Sequence, residues 1–290
     1  MWQQRSWRVW RFTKLFNVQS VRMSDNVKIG FLGAGRMATA IAGGMLKAKF
    51  DCNSVAAYDC SAAAAEAFEK FTGVKCAADP VVMMQNCSVI LLAVKPQFLA
   101  EALLPLNGML KDKLVISIAA GVNLSRLGAL TGASRIVRVM PNTPALVGEG
   151  CGAYALTPSA TNEDKLLVQD ILESIGCFYE LPEKQLDAVT ALSGCGPAYV
   201  YELIQAMADG GVTLGLPRAL AQKLAAATVK GAAAMVLNSN EHPIELRDQV
   251  CSPGGATICA VNVLAAEKFT HAVVAAELAA YERSVELGKN

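Results

Sequence analysis

Five short apolar runs, Val27–Leu32, Val55–Tyr58, Val89–Val94, Leu114–Ile118 and Ile136–Met140, alternate with helix-like stretches near 36–48, 61–71, 97–109 and 123–130. Apolar runs of this length without polar alternation read as strands buried on both faces. Such strands belong to a parallel sheet covered by helices on each side. Two weaker strands, Gly152–Leu156 and Cys177–Glu180, flank a charged helix at 162–175 and extend the sheet. After about Asp187 the strand signal stops, and the chain reads as helical over 197–214, 217–238, 242–250, 255–266 and 270–287. The expectation is an α/β fold: a doubly wound parallel sheet followed by an all-α C-terminal domain. Residues 23–185 form the first domain, 186–290 the second, and 1–22 an N-terminal extension.

At 290 residues the chain is long enough for two ordinary domains. Its 26 basic and 25 acidic side chains leave a net charge of +1, so no field gathers nucleic acid or an anionic membrane. A small-molecule substrate is favoured instead. Hydrophobic residues make up 53% but aromatics only 6%, so the apolar content is mostly Ala, Val and Leu. The helix "RALAQKLAAATVKGAAAMVL" after Leu216-Pro217 is apolar around most of its circumference and needs cover on several faces. A helical domain of this size cannot cover it alone, which predicts a subunit interface and at least a homodimer. The charge-free stretch 250–266 is short for a bilayer and carries Pro, Gly-Gly and Asn, so no transmembrane segment is expected.

Nine scattered cysteines without a CxxC pair read as reduced thiols of an intracellular protein, with no disulfide frame and no metal site. Only His242 and His271 are present, too few for a His-based metal centre or triad. Residues 1–22 hold four Arg, one Lys and no acid, and resemble a mitochondrial presequence. A disordered extension or an over-extended gene start fits these residues equally. The location is therefore cytoplasmic, or mitochondrial if the segment is a presequence.

The first strand ends in "GFLGAGRMATA". Gly33-x-Gly35-x-x-Ala38 at a strand-to-helix junction gives a tight turn, close backbone approach for a pyrophosphate, and a small residue where helix meets strand. The alternative is a purely structural glycine turn. Asp59, ending the second strand, suits the adenosine ribose hydroxyls and repels a 2′-phosphate, which inclines the cofactor toward NADH with NADPH kept open; a solvated turn acid is the plain alternative. "LLAVKPQ" and "SIAAG" end later strands at the same edge, where Lys95 either contacts phosphate or ribose or is a surface lysine. Two prolines stiffen "RVMPNTP" into a loop fit to shape a nicotinamide pocket. The expected cofactor-binding set is Gly33, Gly35, Arg36, Met37, Asp59, Ala93, Val94, Lys95, Pro96, Ala119 and Asn142. "LSGCGPAYVYEL" opens the helical half, either as a hinge with tight helix packing or as a wall beside the cofactor. "RDQVCSPGGATICAV" places Pro and Gly-Gly before an apolar helix, which is either an anion site on free backbone amides or an ordinary helix start.

Taken in order, GFLGAGRMA, AVKP, SIAAG, RVMPNTP, LSGCGPAYV, DGGVTLGLPR and DQVCSPGGATI closely resemble the pyrroline-5-carboxylate reductase family from about Val27 to the C-terminus. The resemblance implies a Rossmann-type N-terminal domain, a helical domain interlocking with a partner's in a dimer, and larger rings of dimers. It implies that Ser252, Gly255, Ala256 and Thr257 bind the substrate carboxylate, with Thr257 and Ser252 as the catalytic pair and Thr257 beside the ring nitrogen. Related hydroxyacid dehydrogenases carry a proton-transferring Lys and Asn on the helix after the glycines; the same spacing here lands on Val200 and Ile204. A cyclic imine needs no such pair, because it is protonated on nitrogen before hydride arrives. The implied reaction is hydride transfer from NAD(P)H to 1-pyrroline-5-carboxylate, giving L-proline. Another imine or hydroxyacid reductase on the same plan is the alternative, and a nucleotide-binding regulator without turnover is disfavoured by the intact SPGGAT loop. Cys195 stands where the family usually has serine, and neither Asn240 nor Glu241 is given a catalytic role.

Overall fold

The computed structural model describes residues 27–289; the extension at 1–22 lies outside the described residues. By backbone packing the described residues divide into two compact units, one running to Ala198 and resuming at Val274, the other Tyr199–Val273.

The first unit is built on a seven-stranded sheet in the order β2-β1-β3-β4-β5-β6-β7. Its strands are β1 (Ile29–Leu32), β2 (Val55–Tyr58), β3 (Val89–Leu92), β4 (Leu114–Ser117), β5 (Arg135–Met140), β6 (Gly150–Leu156) and β7 (Gly176–Glu180). The four-residue strands β1, β3 and β4 are buried along their whole length, as continuous apolar runs require. Helices α1 (Arg36–Lys47), α2 (Ala62–Thr72), α3 (Pro80–Asn86), α4 (Pro96–Leu103) and α5 (Leu124–Thr131) fill the crossovers between β1 and β5. The core divides accordingly between the two faces. Phe31, Ile41, Met45 and Phe68 lie in one cluster, and Met84, Ile90, Leu99 and Leu127 in the other.

The expected parallel sheet holds for β1 to β5, but β6 runs antiparallel to β5. The chain between them carries one 3-10 turn, Thr143–Val147, and no helix. A parallel return needs a crossover of a dozen residues or more, so this short link reverses the strand. Helix α6 (Asn162–Glu173) then supplies a crossover, and β7 pairs parallel to β6. Helix α3 has no counterpart in the apolar pattern because it is short, yet Asp79 caps it and Pro80 opens it. A four-residue helix, α7 (Leu186–Val189), and one π-helical turn, Thr190–Gly194, lead into α8 (Gly196–Thr213).

The second unit contains most of α8, α9 (Arg218–Asn238), α10 (Pro243–Gln249), α11 (Ala256–Ala266) and the start of α12 (Phe269–Lys289). Among the described residues its one buried cluster is Ala208, Ala221 and Ala225, with Ile204 and Val212 against it. Leu220, Leu224, Met235, Val263, Leu264 and Val273 are exposed. Helix α9 is long and apolar enough to cross a membrane by length and composition, and α11, which lies in the stretch that the sequence singled out, passes that test only together with α12.

Candidate active site

Parallel register carries the segments after β1 to β5 to one edge of the sheet. Gly33, Asp59, Ala93–Pro96, Ala119 and Asn142 therefore share that edge although 109 positions separate the first from the last. The strand order turns back between β1 and β3, which is where open α/β sheets hold their ligands. The two loops touch there. Gly33 has φ +99°, and a Cβ on it would stand 2.9 Å from the Ala93 carbonyl carbon and oxygen. Its amide donates to Tyr58 O at 2.8 Å. No side chain fits that position, so Gly33 is required by the turn itself.

Two residues on, Gly35 is the N-cap of α1, with nothing within 4 Å of the place a Cβ would occupy and no side-chain cap. The first turn of α1 carries no acid, so its free N–H groups and positive dipole end face an open cradle suited to a pyrophosphate. Arg36 is exposed there, Met37 is half-buried, and Ala38 is packed against the sheet as a small residue must be at that contact. Lys95, exposed, is the N-cap of α4, also without a side-chain cap. Five other helices begin on a capping side chain: Ser61, Asp79, Asn123, Thr161 and His242. The uncapped glycine starts of α1 and α11 stand apart from these.

Asp59 performs a task the sequence did not disclose. Its Oδ2 accepts from Ala34 N at 2.7 Å and its Oδ1 from Ser61 N at 2.8 Å, so the carboxylate ties the glycine turn to the start of α2. Each oxygen retains a further acceptor position. Asp59 and Glu69 also add, after burial, to the forces pushing the Cys76 thiol up to about 11.

Asn142 is buried, and its side chain is already engaged: Oδ1 accepts from Cys151 N at 2.9 Å and Nδ2 donates to Ser193 O at 3.1 Å. Ser193 Oγ in turn donates to Cys151 O at 2.5 Å. The Pro141–Pro144 loop is thus clasped to β6 and to the π-helical turn. Ser193 lies in the quoted LSGCGP stretch, but only the fold reveals what it holds. Below this loop Arg138, 5% exposed, reaches Glu183 Oε1 at 3.4 Å and Asp187 Oδ1 at 3.3 Å. Asp187 Oδ1 also accepts from Ser284 Oγ at 2.9 Å, which ties α12 to α7. Ala119, buried, has its amide turned to Ser117 Oγ at 3.2 Å.

The Ser252–Thr257 segment belongs to the second unit. Gly254 has φ +70°, Gly255 N donates to Ser252 O at 3.0 Å, and Gly255 is the N-cap of α11 with no side-chain cap. A Cβ on Gly255 would lie 2.3 Å from Ser252 Oγ, so the hydroxyl is folded over the helix start. Ala256 and Thr257 are exposed in the first turn, which holds no acid. Free amides, a hydroxyl and a dipole end together suit a carboxylate. Among the described residues no group of three or more His, Cys, Asp or Glu could hold a metal ion.

Comparisons with known proteins agree with this geometry. Residues 183–287 match the family model for pyrroline-5-carboxylate reductase dimerisation, and residues 28–121 match the model for NADP oxidoreductase, coenzyme F420-dependent. The exposed apolar faces of α9 and α11 fall within the first match, so this region mediates oligomerisation. The pyrroline-5-carboxylate reductase of Pisum sativum is 42% identical over 268 residues, covering 91% of this chain and 97% of the pea protein. That of Escherichia coli K12 is 42% identical over 271 residues, covering 91% and 99%. The Plasmodium falciparum pyrroline carboxylate reductase, solved with NADP bound, superposes with a TM-score of 0.83 at 37% identity, covering 91% of this chain and 98% of that one. The Coxiella burnetii enzyme gives 0.82 at 33%, covering 92% and 100%. With a glycine turn suited to a pyrophosphate, an oligomerising helical region and this likeness along the chain, the protein belongs to the pyrroline-5-carboxylate reductase family and is an NAD(P)H-dependent oxidoreductase acting on a carbon–nitrogen bond.

Proposed function

We propose that the chain reduces 1-pyrroline-5-carboxylate to L-proline using no acid–base side chain, with its own residues gripping the substrate rather than moving its proton. The observation that carries this is the start of α11, where Gly255 caps the helix without a side chain and Ser252 Oγ closes over it. Gly255, its amide tied to Ser252 O, sets the turn, the amides of Ala256 and Thr257 and the Ser252 hydroxyl hold the carboxylate, and the Thr257 hydroxyl accepts from the protonated ring nitrogen. The iminium is electrophilic as bound, so orientation and exclusion of water supply several kcal/mol of the barrier reduction. Gly33, Gly35, Arg36 and Met37 receive the pyrophosphate; Ala93, Val94, Lys95, Pro96 and Ala119 line the cofactor's path, and Asn142 fixes the loop behind the nicotinamide. The nicotinamide, when bound, supplies the hydride for the imine carbon.

Asp59 keeps acceptor capacity for ribose hydroxyls and places negative charge where a 2′-phosphate would lie, so the cofactor preference we assign is NADH. Residues 23–185 serve as the dinucleotide module and 186–290 as the substrate and dimerisation module, two chains pairing through the latter and the dimers closing into a ring. Steady-state oxidation of NADH and NADPH with 1-pyrroline-5-carboxylate tests the assignment. The double substitution Ser252→Ala/Thr257→Ala should raise KM and lower kcat/KM by at least tenfold. Unchanged turnover in that variant overturns the site, and a lower kcat/KM with NADH than with NADPH overturns the cofactor preference.

A further inference from the structure

We infer that Cys151 and Cys177 form a dithiol modification site that a peroxide closes into an intrachain disulfide. The two residues are 26 positions apart in the sequence, yet they are register partners on the parallel strands β6 and β7. Residues paired in this way point to the same face of the sheet. Both are exposed, and both are free thiols. On that face Leu186 covers Ala153 and Ala155, further along β6, and the cover does not extend to Cys151.

The pairing just before the cysteines draws the two strands together. Gly150 and Gly176 are partners, and a Cβ on Gly176 would fall 1.9 Å from Gly150 O. Gly150 N donates to Ile175 O at 2.9 Å at the same point. Neighbouring strands place Cα atoms about 4.8 Å apart, inside the range of about 4.4–6.8 Å that disulfides span. The Cβ atoms of such neighbours must approach by about 1 Å to reach the separation that disulfides prefer. Among the described residues β7 is an edge strand, paired on one side alone, so it can make that approach where a central strand could not.

Two of the other seven cysteines are poor competitors for such a bond. Cys87 is buried, and the Cys76 thiol is pushed up to about 11 by burial and by Glu69 and Asp59. Among the sheet pairings of the described residues, cysteine meets cysteine at this position alone. The chemistry balances with hydrogen peroxide as oxidant. One thiolate attacks a peroxide oxygen, giving a sulfenic acid and water; the second thiol displaces a second water as the S–S bond forms, so two thiols lose two electrons and two protons to one peroxide.

The test uses the full-length protein treated with stoichiometric hydrogen peroxide and quenched with catalase. Free thiols are blocked with N-ethylmaleimide in denaturant, and the digest is read by mass spectrometry without reduction. The expected product is a linked pair of peptides carrying Cys151 and Cys177, two hydrogens lighter than the reduced pair and separated by dithiothreitol. It should vanish in Cys151→Ser and in Cys177→Ser, and persist in Cys52→Ser. Maleimide on both cysteines after oxidation, sulfinic acid at either without the link, or a bond joining two chains overturns the proposal.

Discussion

Replacing Arg138 with Met tests whether the charges beneath the Pro141–Pro144 loop hold the sheet and α12 together. The Arg138 side chain is 6% exposed, against 32% for Glu183 and 24% for Asp187, and its guanidinium stands 3.4 and 3.3 Å from their carboxylates. At such separations each pair gains about 1 kcal/mol in a water-like dielectric and about 5 kcal/mol at an effective dielectric of 20. Burial of the arginine offsets part of that gain, but once it is buried, deleting it leaves two carboxylates without their cation. Glu183 keeps the Leu124 amide at 2.6 Å, and Asp187 keeps only the Ser284 hydroxyl. Removing one partner of a fully buried pair costs about 3–5 kcal/mol; with carboxylates this accessible, the lower end, about 3 kcal/mol, is the expected loss. Urea unfolding at one fixed protein concentration should show the midpoint falling by about 1 M. In a double-mutant cycle, Asp187→Asn in the Arg138→Met background should recover at least about 1 kcal/mol, since one of the two orphaned charges is then gone. A midpoint shift under about 0.2 M, or additive single effects, would mean that the guanidinium is only filling space.

Three further outcomes follow from local geometry. Gly33→Ala places a Cβ against the Ala93 carbonyl at φ +99° and should abolish detectable cofactor binding in a fluorescence titration, while Gly35→Ala, which meets nothing, should keep most of it. Lys268, at φ +58° between α11 and α12, pays a left-handed penalty that glycine does not, so Lys268→Gly should raise stability by about 0.5–1 kcal/mol in the same urea assay. The Cys76 thiol, pushed up to about 11, is protonated in all but about one molecule in a thousand at pH 8. Its alkylation by iodoacetamide should therefore trail that of exposed Cys60 and accelerate about tenfold per pH unit from pH 8 to pH 10; a rate equal to Cys60 would show that burial does not govern it.

Several elements were legible in the sequence because local chemistry fixes them. The apolar runs that became β1, β3 and β4 had no polar face to offer water, so burial on both sides was their one stable outcome. Gly33 and Gly35 declared a strand-to-helix turn open to an anion, and the Ala-rich α9 declared faces that its own unit leaves uncovered. The reversal of β6 was a matter of connection length, which apolar periodicity does not record.

Other features depend on groups far apart in the chain. That Asp59 holds the Ala34 amide, that Asn142 spends its side chain on Cys151 and Ser193, and that Arg138 meets Asp187 are facts about strand order and register. The same register sets Cys151 beside Cys177. The sequence by itself determined the layers and the glycine turns, because these follow from hydrophobic period and backbone freedom over a few neighbouring residues. Which side chains meet was decided by tertiary structure alone, since hydrogen bonds and ion pairs act over about 3 Å and only the folded sheet brings distant residues that close.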